Sequence, residues 1–308
     1  MNKPAKTLIT GALPLGIGEF RELEKLGLQV VYHQDEQTAV ANPDEYEIII
    51  CNALFQYQPI EHFTNLKLVQ LTSAGYDRVP LDDIEFRGIR LFNAGGVYSA
   101  PMAEFALCGV LQLYKQSRFF EQNQQRHLWE KHRGLLELTD KLVCIVGAGS
   151  VGIEVAKRFA AFGAHVTGID LYPKDTAYFN AVLNLDSLDE VLKTSDIVVL
   201  TLPLSDATRH LFDGARLSRI KPGAILVNSA RGAIVEETAL IDSLRSGRLS
   251  GAVLDVFEQE PLPADSPLWE MDNVILTPHN SFVGENNARR LFNVTLQNLQ
   301  AHVKERDD

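Results

Sequence analysis

Short apolar runs recur along the chain. Each is closed by Gly, Pro, Asn or Asp and followed by a segment whose apolar positions repeat every three to four residues. In the first hundred residues, the runs at 7–10, 29–32, 48–51, 68–71 and 90–92 predict strands, and 18–26 predicts a helix between the first two. From Lys141 onward the alternation strengthens. Strands are expected at 142–146, 165–169, 197–200, 224–228, 251–255 and 274–276, with helices at 151–162, 187–194 and 237–246 in the intervals. Strands that are apolar throughout, rather than on alternate positions, are buried on both faces. That implies parallel sheets covered by helices on both sides, an α/β doubly wound architecture.

Ser99 and Pro101 mark a helix start, residues 102–120 read as one long apolar-striped helix, and a polar stretch, 121–133, follows. A second domain is therefore expected over 99–282. Residues 287–304 are helical with no strand of their own and are expected to return to the first domain, giving 1–98 plus 283–308. The length, 308 residues, agrees with two domains at roughly 150 residues each, and 45% hydrophobic residues supply two cores. Forty acidic against 29 basic residues leave a net charge of −11. An acidic body without a basic run repels a phosphate backbone, so no nucleic-acid partner is expected. Cys51, Cys108 and Cys144 are sparse and unpaired by spacing, which points to buried, reduced thiols and a cytoplasmic setting. Lys3 and Lys6 before the apolar stretch 7–17 imitate a leader, but Gly11, Pro14 and Gly16 interrupt it, and a strand and its loop are expected instead. No run reaches the roughly 18 apolar residues of a membrane span, so no membrane partner is expected. No Cys/His/carboxylate spacing predicts a metal.

The strand at 143–146 runs into Gly147-Ala148-Gly149-Ser150-Val151-Gly152, where a helix opens. Alone, G-x-G-x-x-G is a weak signal. Here it joins a strand to a helix, and Asp170 ends the next strand about 18 residues on, the context of a dinucleotide-binding fingerprint. Gly147 allows the tight turn, Gly149 lets the backbone approach a pyrophosphate, and Gly152 lets helix and strand pack closely. Asp170 can accept from both ribose hydroxyls and repels a 2′-phosphate, and Leu171-Tyr172-Pro173 brings no arginine, so NAD is expected over NADP. A competing reading takes 148–152 as a near match to the G-x-S-x-G nucleophile elbow of hydrolases, with Asp255 and His279 following in hydrolase order. An elbow needs neither Gly147 nor an acid at the end of the next strand.

Three later strand ends carry polar residues: Ser229-Ala230-Arg231-Gly232, Asp255-Val256-Phe257-Glu258-Gln259-Glu260-Pro261 and Thr277-Pro278-His279-Asn280-Ser281. In open α/β sheets, ligands bind outside these carboxyl ends. Together with the glycine loop, the three segments resemble the D-isomer-specific 2-hydroxyacid dehydrogenase family. Ser73-Ala74-Gly75-Tyr76-Asp77 resembles its carboxylate-binding loop, and 93–99 with Ala103-Glu104-Phe105-Ala106-Leu107 resembles its crossover between domains. The resemblance covers essentially the whole chain. It implies a flavodoxin-like substrate domain, an inserted Rossmann NAD-binding domain, NAD as cofactor, and a homodimer held through the cofactor domains.

By that resemblance, Arg231 is the substrate arginine, Glu260 the acid that partners the histidine, and His279 the catalytic acid/base. Arg231 offers a planar fork suited to a carboxylate and its neighbouring keto oxygen. His279 can protonate a developing alkoxide as hydride arrives, and Glu260 keeps the imidazolium charged. Asp255 is expected to accept from the nicotinamide carboxamide. The cofactor contacts implied are Gly147, Gly149, Ser150, Val151, Gly152, Asp170, Leu202, Pro203, Ser229, Ala230, Arg231, Asp255 and His279. Ser73 and the backbone of Ala74 and Gly75 are expected to hold the substrate carboxylate, with Arg231 and His279. The expected reaction is NAD-dependent reduction of a 2-oxo acid to the D-2-hydroxy acid.

The other histidines (His33, His62, His127, His132, His165, His210 and His302) lack such context and are expected at the surface. Asn280-Ser281-Phe282 departs from the small or apolar residue that follows the histidine in many relatives, which bears on the local nicotinamide contacts. The loop 52–57 carries no arginine or lysine to hold a phosphate, so an uncharged substrate tail is expected, with Arg78 as the one nearby cation. Phosphoglycerate dehydrogenase-type activity and a non-enzymatic, NADH-sensing corepressor-like role stand as alternatives. The chain ends at Asp308 soon after its last helix, so neither long partner-binding tails nor an added regulatory domain is expected.

Overall fold

The structure, a computed structural model, describes residues 4–307; Lys3 of the leader-like stretch lies outside the described residues. The chain separates into two compact units, one formed by the chain up to Tyr98 together with the stretch from Gly284, the other by Ser99–Val283.

The first unit contains β1 (Ala5–Thr10), α1 (Ile17–Lys25), β2 (Leu28–His33), β3 (Ile48–Cys51), β4 (Leu68–Leu71), α2 (Leu81–Phe86) and β5 (Arg90–Phe92). All five strands run parallel in the order β2-β1-β3-β4-β5, the flavodoxin-like order. β3 and β4 are buried at every position, which is why Ile48-Ile49-Ile50-Cys51 reads as a continuous apolar run.

The second unit opens with α3 (Ser99–Tyr114) and α4 (Ser117–Gln125), followed by an irregular stretch. Then come β6 (Leu142–Val146), α5 (Ser150–Ala161), β7 (His165–Ile169), β8 (Ala181–Leu183), α6 (Leu188–Leu192), β9 (Ile197–Leu200), α7 (Gly214–Leu217), β10 (Ala224–Asn228), α8 (Glu237–Arg245), β11 (Leu249–Leu254) and β12 (Val274–Leu276). The sheet is parallel throughout, in the order β12-β11-β10-β9-β6-β7-β8. Its strand order reverses between β6 and β9, the switch point at which doubly wound folds bind ligands. Separate apolar clusters cover its two faces. The last helix, α9 (Asn287–Asp307), buries Leu291 and Leu299 in the first unit's core with Ala5, Ile9 and Leu68.

Three expectations are corrected. The helix expected over 102–120 is two helices: Gln116 adopts φ +53° and its side-chain amide donates to Leu113 O at 3.0 Å, so the backbone turns away and restarts at Ser117. Cys108 is exposed, because α3 buries Ala103, Ala106 and Val110 and Cys108 falls outside that stripe; Cys51 and Cys144 are buried. β8 was not foreseen, being a three-residue edge strand whose ends are exposed.

Candidate active site

The glycine loop is built by close approach. Gly147 has φ +105°, and a Cβ there would stand 2.8 Å from Leu202 N. A Cβ on Gly152 would lie 2.0 Å from Gly147 O, so α5 can start where it does only with glycine at that position. Gly149, by contrast, has nothing within 4 Å of its Cβ direction. It precedes a twelve-residue helix whose first N–H groups have no side-chain cap. Asp170 stands just past β7, with Oδ2 accepting from Ala148 N at 2.8 Å and Oδ1 from Tyr172 N at 2.9 Å. The acid is thereby tied to the glycine loop itself. Pro203 O accepts from Thr208 Oγ1 at 2.8 Å, which folds back the loop that follows Leu202.

At the end of β10, the Asn228 side chain accepts from Ala230 N at 3.1 Å and donates to Arg231 O at 3.0 Å, locking the turn that carries Arg231. Arg231 Nη1 donates to Ala230 O at 2.8 Å. The Ser229 hydroxyl is buried and has no hydrogen-bond partner, an orphan that a bound polar ligand would satisfy. Gly232 has no room for a side chain, since a Cβ would meet Phe257 C at 1.9 Å. That contact brings the Arg231 turn against the 257–260 loop.

His279 Nδ1 lies 2.8 Å from Glu260 Oε2, and Phe257 N donates to Glu260 Oε1 at 3.1 Å. One carboxylate oxygen thus orients the acid while the other meets the imidazole. The pair is about 40% exposed, open to a substrate. His279 has φ +51°, and its N–H donates to Asp255 O at 2.8 Å. The ring stands edge-on to Phe282, with centroids 6.3 Å apart.

Asp255 is fully buried. Oδ1 accepts from Thr277 Oγ1 at 2.6 Å and Asn280 N at 2.7 Å, and Oδ2 from Ser281 N at 2.9 Å. Its charge therefore pins both sides of the His279 turn. In a hydrolase triad the aspartate would instead orient the imidazole, a role Glu260 fills here.

In the first unit, the carbonyls of the 72–75 loop are all engaged. Thr72 O accepts from Tyr98 OH, Ser73 O from Ala94 N at 2.9 Å, Ala74 O from Asn93 Nδ2 at 2.7 Å, and Gly75 O from Ser73 Oγ at 3.0 Å. Sequence reasoning missed Asn93 and Tyr98 as its supports, since partners 19 and 26 residues away leave no local pattern. It also missed His210, which is exposed as expected but lies 2.5 Å from Glu258 Oε1. Glu258 N in turn donates to Glu237 Oε2 at 3.2 Å, and burial, followed by the Glu258 charge, pushes the Glu237 carboxyl up despite that N–H. Among the described residues, no cluster of three or more His, Cys, Asp or Glu could hold a metal. No helix among them is long and apolar enough to cross a membrane.

Residues 107–281 match the NAD-binding domain of D-isomer specific 2-hydroxyacid dehydrogenases. The chain belongs to that family. It is 33% identical over 246 residues to a glyoxylate reductase of Thermofilum pendens, covering 78% of this chain and 73% of the relative. It is 35% identical to a D-3-phosphoglycerate dehydrogenase of Methanocaldococcus jannaschii, of which it spans only 42%. A crystal structure of a family protein from Aeromonas salmonicida superposes with a TM-score of 0.83 at 30% identity, covering 99% of this chain and 97% of that one. The second unit is thus the NAD-binding domain of an oxidoreductase family. Its open Gly149, uncapped α5 N-terminus and orphaned Ser229 hydroxyl fit a dinucleotide.

Proposed function

We propose that the protein reduces a 2-oxo acid to the D-2-hydroxy acid with NADH. The observation that carries this reading is the 2.8 Å contact between His279 Nδ1 and Glu260 Oε2, in a family of NAD-dependent 2-hydroxyacid dehydrogenases. Bound at the glycine loop, the nicotinamide dinucleotide supplies the hydride. Gly147, Gly149, Ser150, Val151 and Gly152 hold its pyrophosphate, Asp170 the adenine ribose, and Leu202, Pro203, Ser229 and Ala230 line its path.

Arg231 anchors the substrate carboxylate and keto oxygen with its guanidinium fork. In the first unit, Ser73 and the backbone N–H groups of Ala74 and Gly75 are the donors for a substrate carboxylate. His279 holds the proton at Nε2, since Nδ1 is committed to Glu260, and delivers it to the oxygen that becomes the hydroxyl. Glu260 stabilises the imidazolium before transfer and fixes the ring's orientation. Asp255 positions this machinery by holding the turn through Thr277, Asn280 and Ser281, and it retains lone-pair capacity for a carboxamide donor. The substrate is a small or apolar 2-oxo acid with an uncharged tail, the setting is cytoplasmic, and the chain works as a homodimer.

The test is NADH oxidation with a panel of glyoxylate, pyruvate, hydroxypyruvate, phosphohydroxypyruvate, 2-oxoisocaproate and phenylpyruvate, followed by chiral analysis of each chiral product. Turnover to the D product supports the reading. NADH binding with no turnover of any 2-oxo acid favours a sensor instead. The highest kcat/KM on phosphohydroxypyruvate makes it a phosphoglycerate dehydrogenase-type enzyme.

A further inference from the structure

Glu36 is a carboxylate built into the carboxyl edge of the first unit's sheet that the reaction above does not use. It lies in the turn after β2 and reaches across two strand ends. Oε1 accepts from Thr10 Oγ1, the last residue of β1, and from Asn52 N, the first residue after β3, both at 2.7 Å. Oε2 accepts from Ala53 N, also at 2.7 Å. None of these three partners is a cation, so the carboxylate is held by neutral donors rather than in an ion pair with them. Burial, and after it the Glu36 charge, push the neighbouring Cys51 thiol up.

The position of this charge matters because of what adjoins it. β3 pairs with β4 in register, and Thr72 N donates to Cys51 O at 2.9 Å, so the 52–53 turn stands next to the 73–75 loop. Open parallel sheets bind ligands along this edge. Two consecutive backbone N–H groups at a strand end are natural receptors for a phosphate or sulfonate oxygen. In this chain both already point at a carboxylate. A second anionic group on the substrate would meet occupied donors and a like charge, and would lose its hydration with nothing in exchange.

We propose that Glu36 is a specificity-determining residue that bars 2-oxo acids carrying a second anionic group, by filling the donors of Asn52 and Ala53 and fixing a negative charge beside the substrate tail. The proposal rests on the reading that the substrate carboxylate is received at Ser73–Gly75. It assigns selectivity to a repulsive element as well as to the missing lysine or arginine.

The matched substrates are hydroxypyruvate and phosphohydroxypyruvate, which differ only in the phosphate. In the unaltered protein the ratio of kcat/KM for phosphohydroxypyruvate to that for hydroxypyruvate is expected well below one. Glu36→Gln removes the charge and is expected to raise that ratio by about tenfold, the scale of one charge acting across a solvated protein edge. Thr10→Val removes a hydrogen bond to the carboxylate but leaves its charge, and the ratio is expected to stay put even if Tm falls. A ratio above one in the unaltered protein overturns the proposal and needs no variant. So does a Glu36→Gln ratio that does not move while hydroxypyruvate is still reduced, and so does an equal rise in both variants, which would trace the selectivity to loop shape. If neither substrate nor any other 2-oxo acid is reduced by the unaltered protein, the functional reading fails first and this inference with it.

Discussion

A histidine can act as a proton donor only if its ring is held and its far nitrogen left free. Here the holding is done by Glu260 on one side and by Asp255 beneath the turn. Glu260→Gln keeps the shape but replaces the carboxylate that meets His279 Nδ1, so kcat for reduction is expected to fall by about tenfold or more with KM changed little. His279→Ala is expected to remove most turnover; a glutamine variant with unchanged kcat would uncouple Glu260 from the histidine. Arg231→Ala removes the proposed carboxylate anchor and is expected to lower kcat/KM by about a hundredfold or more, with NADH affinity nearly unchanged, as read by steady-state kinetics beside fluorescence titration. Asp170 accepts from two backbone N–H groups and has further lone-pair capacity, which the proposed reading assigns to a ribose. NADH is therefore expected over NADPH by more than about tenfold in kcat/KM, and equal use would refute that role. The positions of these residues beyond strand ends were legible because each lies inside a motif; their roles are the ones proposed above. The work of Asp255 was not, because its donors come from a turn that His279 enters at φ +51° without any glycine to announce it.

The strands follow the apolar runs closely. β3, β4, β5, β6, β7, β9, β10 and β12 begin and end where the pattern does, edge strands β5 and β12 included, because each is a short run closed by a polar or turn residue. β1 and β11 differ at their limits, since β1 starts at Ala5 and β11 spans Leu249–Leu254, so pairing with a neighbour extends a strand beyond its apolar run. Other features leave less trace in the pattern. β8 is exposed at both ends, and the stretch expected as one helix breaks at Gln116 through a side-chain bond that periodicity cannot register. Polar staples between elements are likewise invisible in a linear reading. Asp196, ahead of β9, accepts from Leu142 N on β6 at 2.9 Å and from Lys221 Nζ, ahead of β10, at 2.7 Å. Burial raises its carboxyl pKa, but the Lys221 and Leu142 donors and the lysine charges outweigh it, and the net shift is downward. A depressed folded-state pKa gives stability that is present above the ordinary carboxylate range and lost as pH falls through the folded value. Asp196→Asn is therefore expected to be less stable than the unaltered protein at pH 7, with the gap closing on acidification. Urea melts at pH 7 and at about pH 3.5 check this, and a gap that does not narrow would mean that the staple carries no linked proton.

At the scale of the whole molecule, the two sheets explain the division of labour. The flavodoxin-like order brings the 52–53 turn and the 72–75 loop to one carboxyl edge in the first unit, and the Rossmann order with its switch point carries the glycine loop in the other. What remains unexplained by either core is the irregular stretch after α4. It exposes Leu128, Trp129, Leu135 and Leu136, and Trp129 is 97% exposed, the kind of apolar display that marks an interaction surface. Large aromatic side chains in such a position act as anchors of protein interfaces. The proposed homodimer through the NAD-binding units gives this segment its occupant, a second copy of the chain. Sedimentation of the unaltered protein is then expected near twice 34.3 kDa. Trp129→Ser removes the largest exposed apolar group without touching either core, so each unit is expected to keep its fold, read by circular dichroism, while the mass shifts toward that of a single chain. A single-chain mass for the unaltered protein across the micromolar range would leave Trp129 unexplained and overturn the assembly, though not the chemistry at His279.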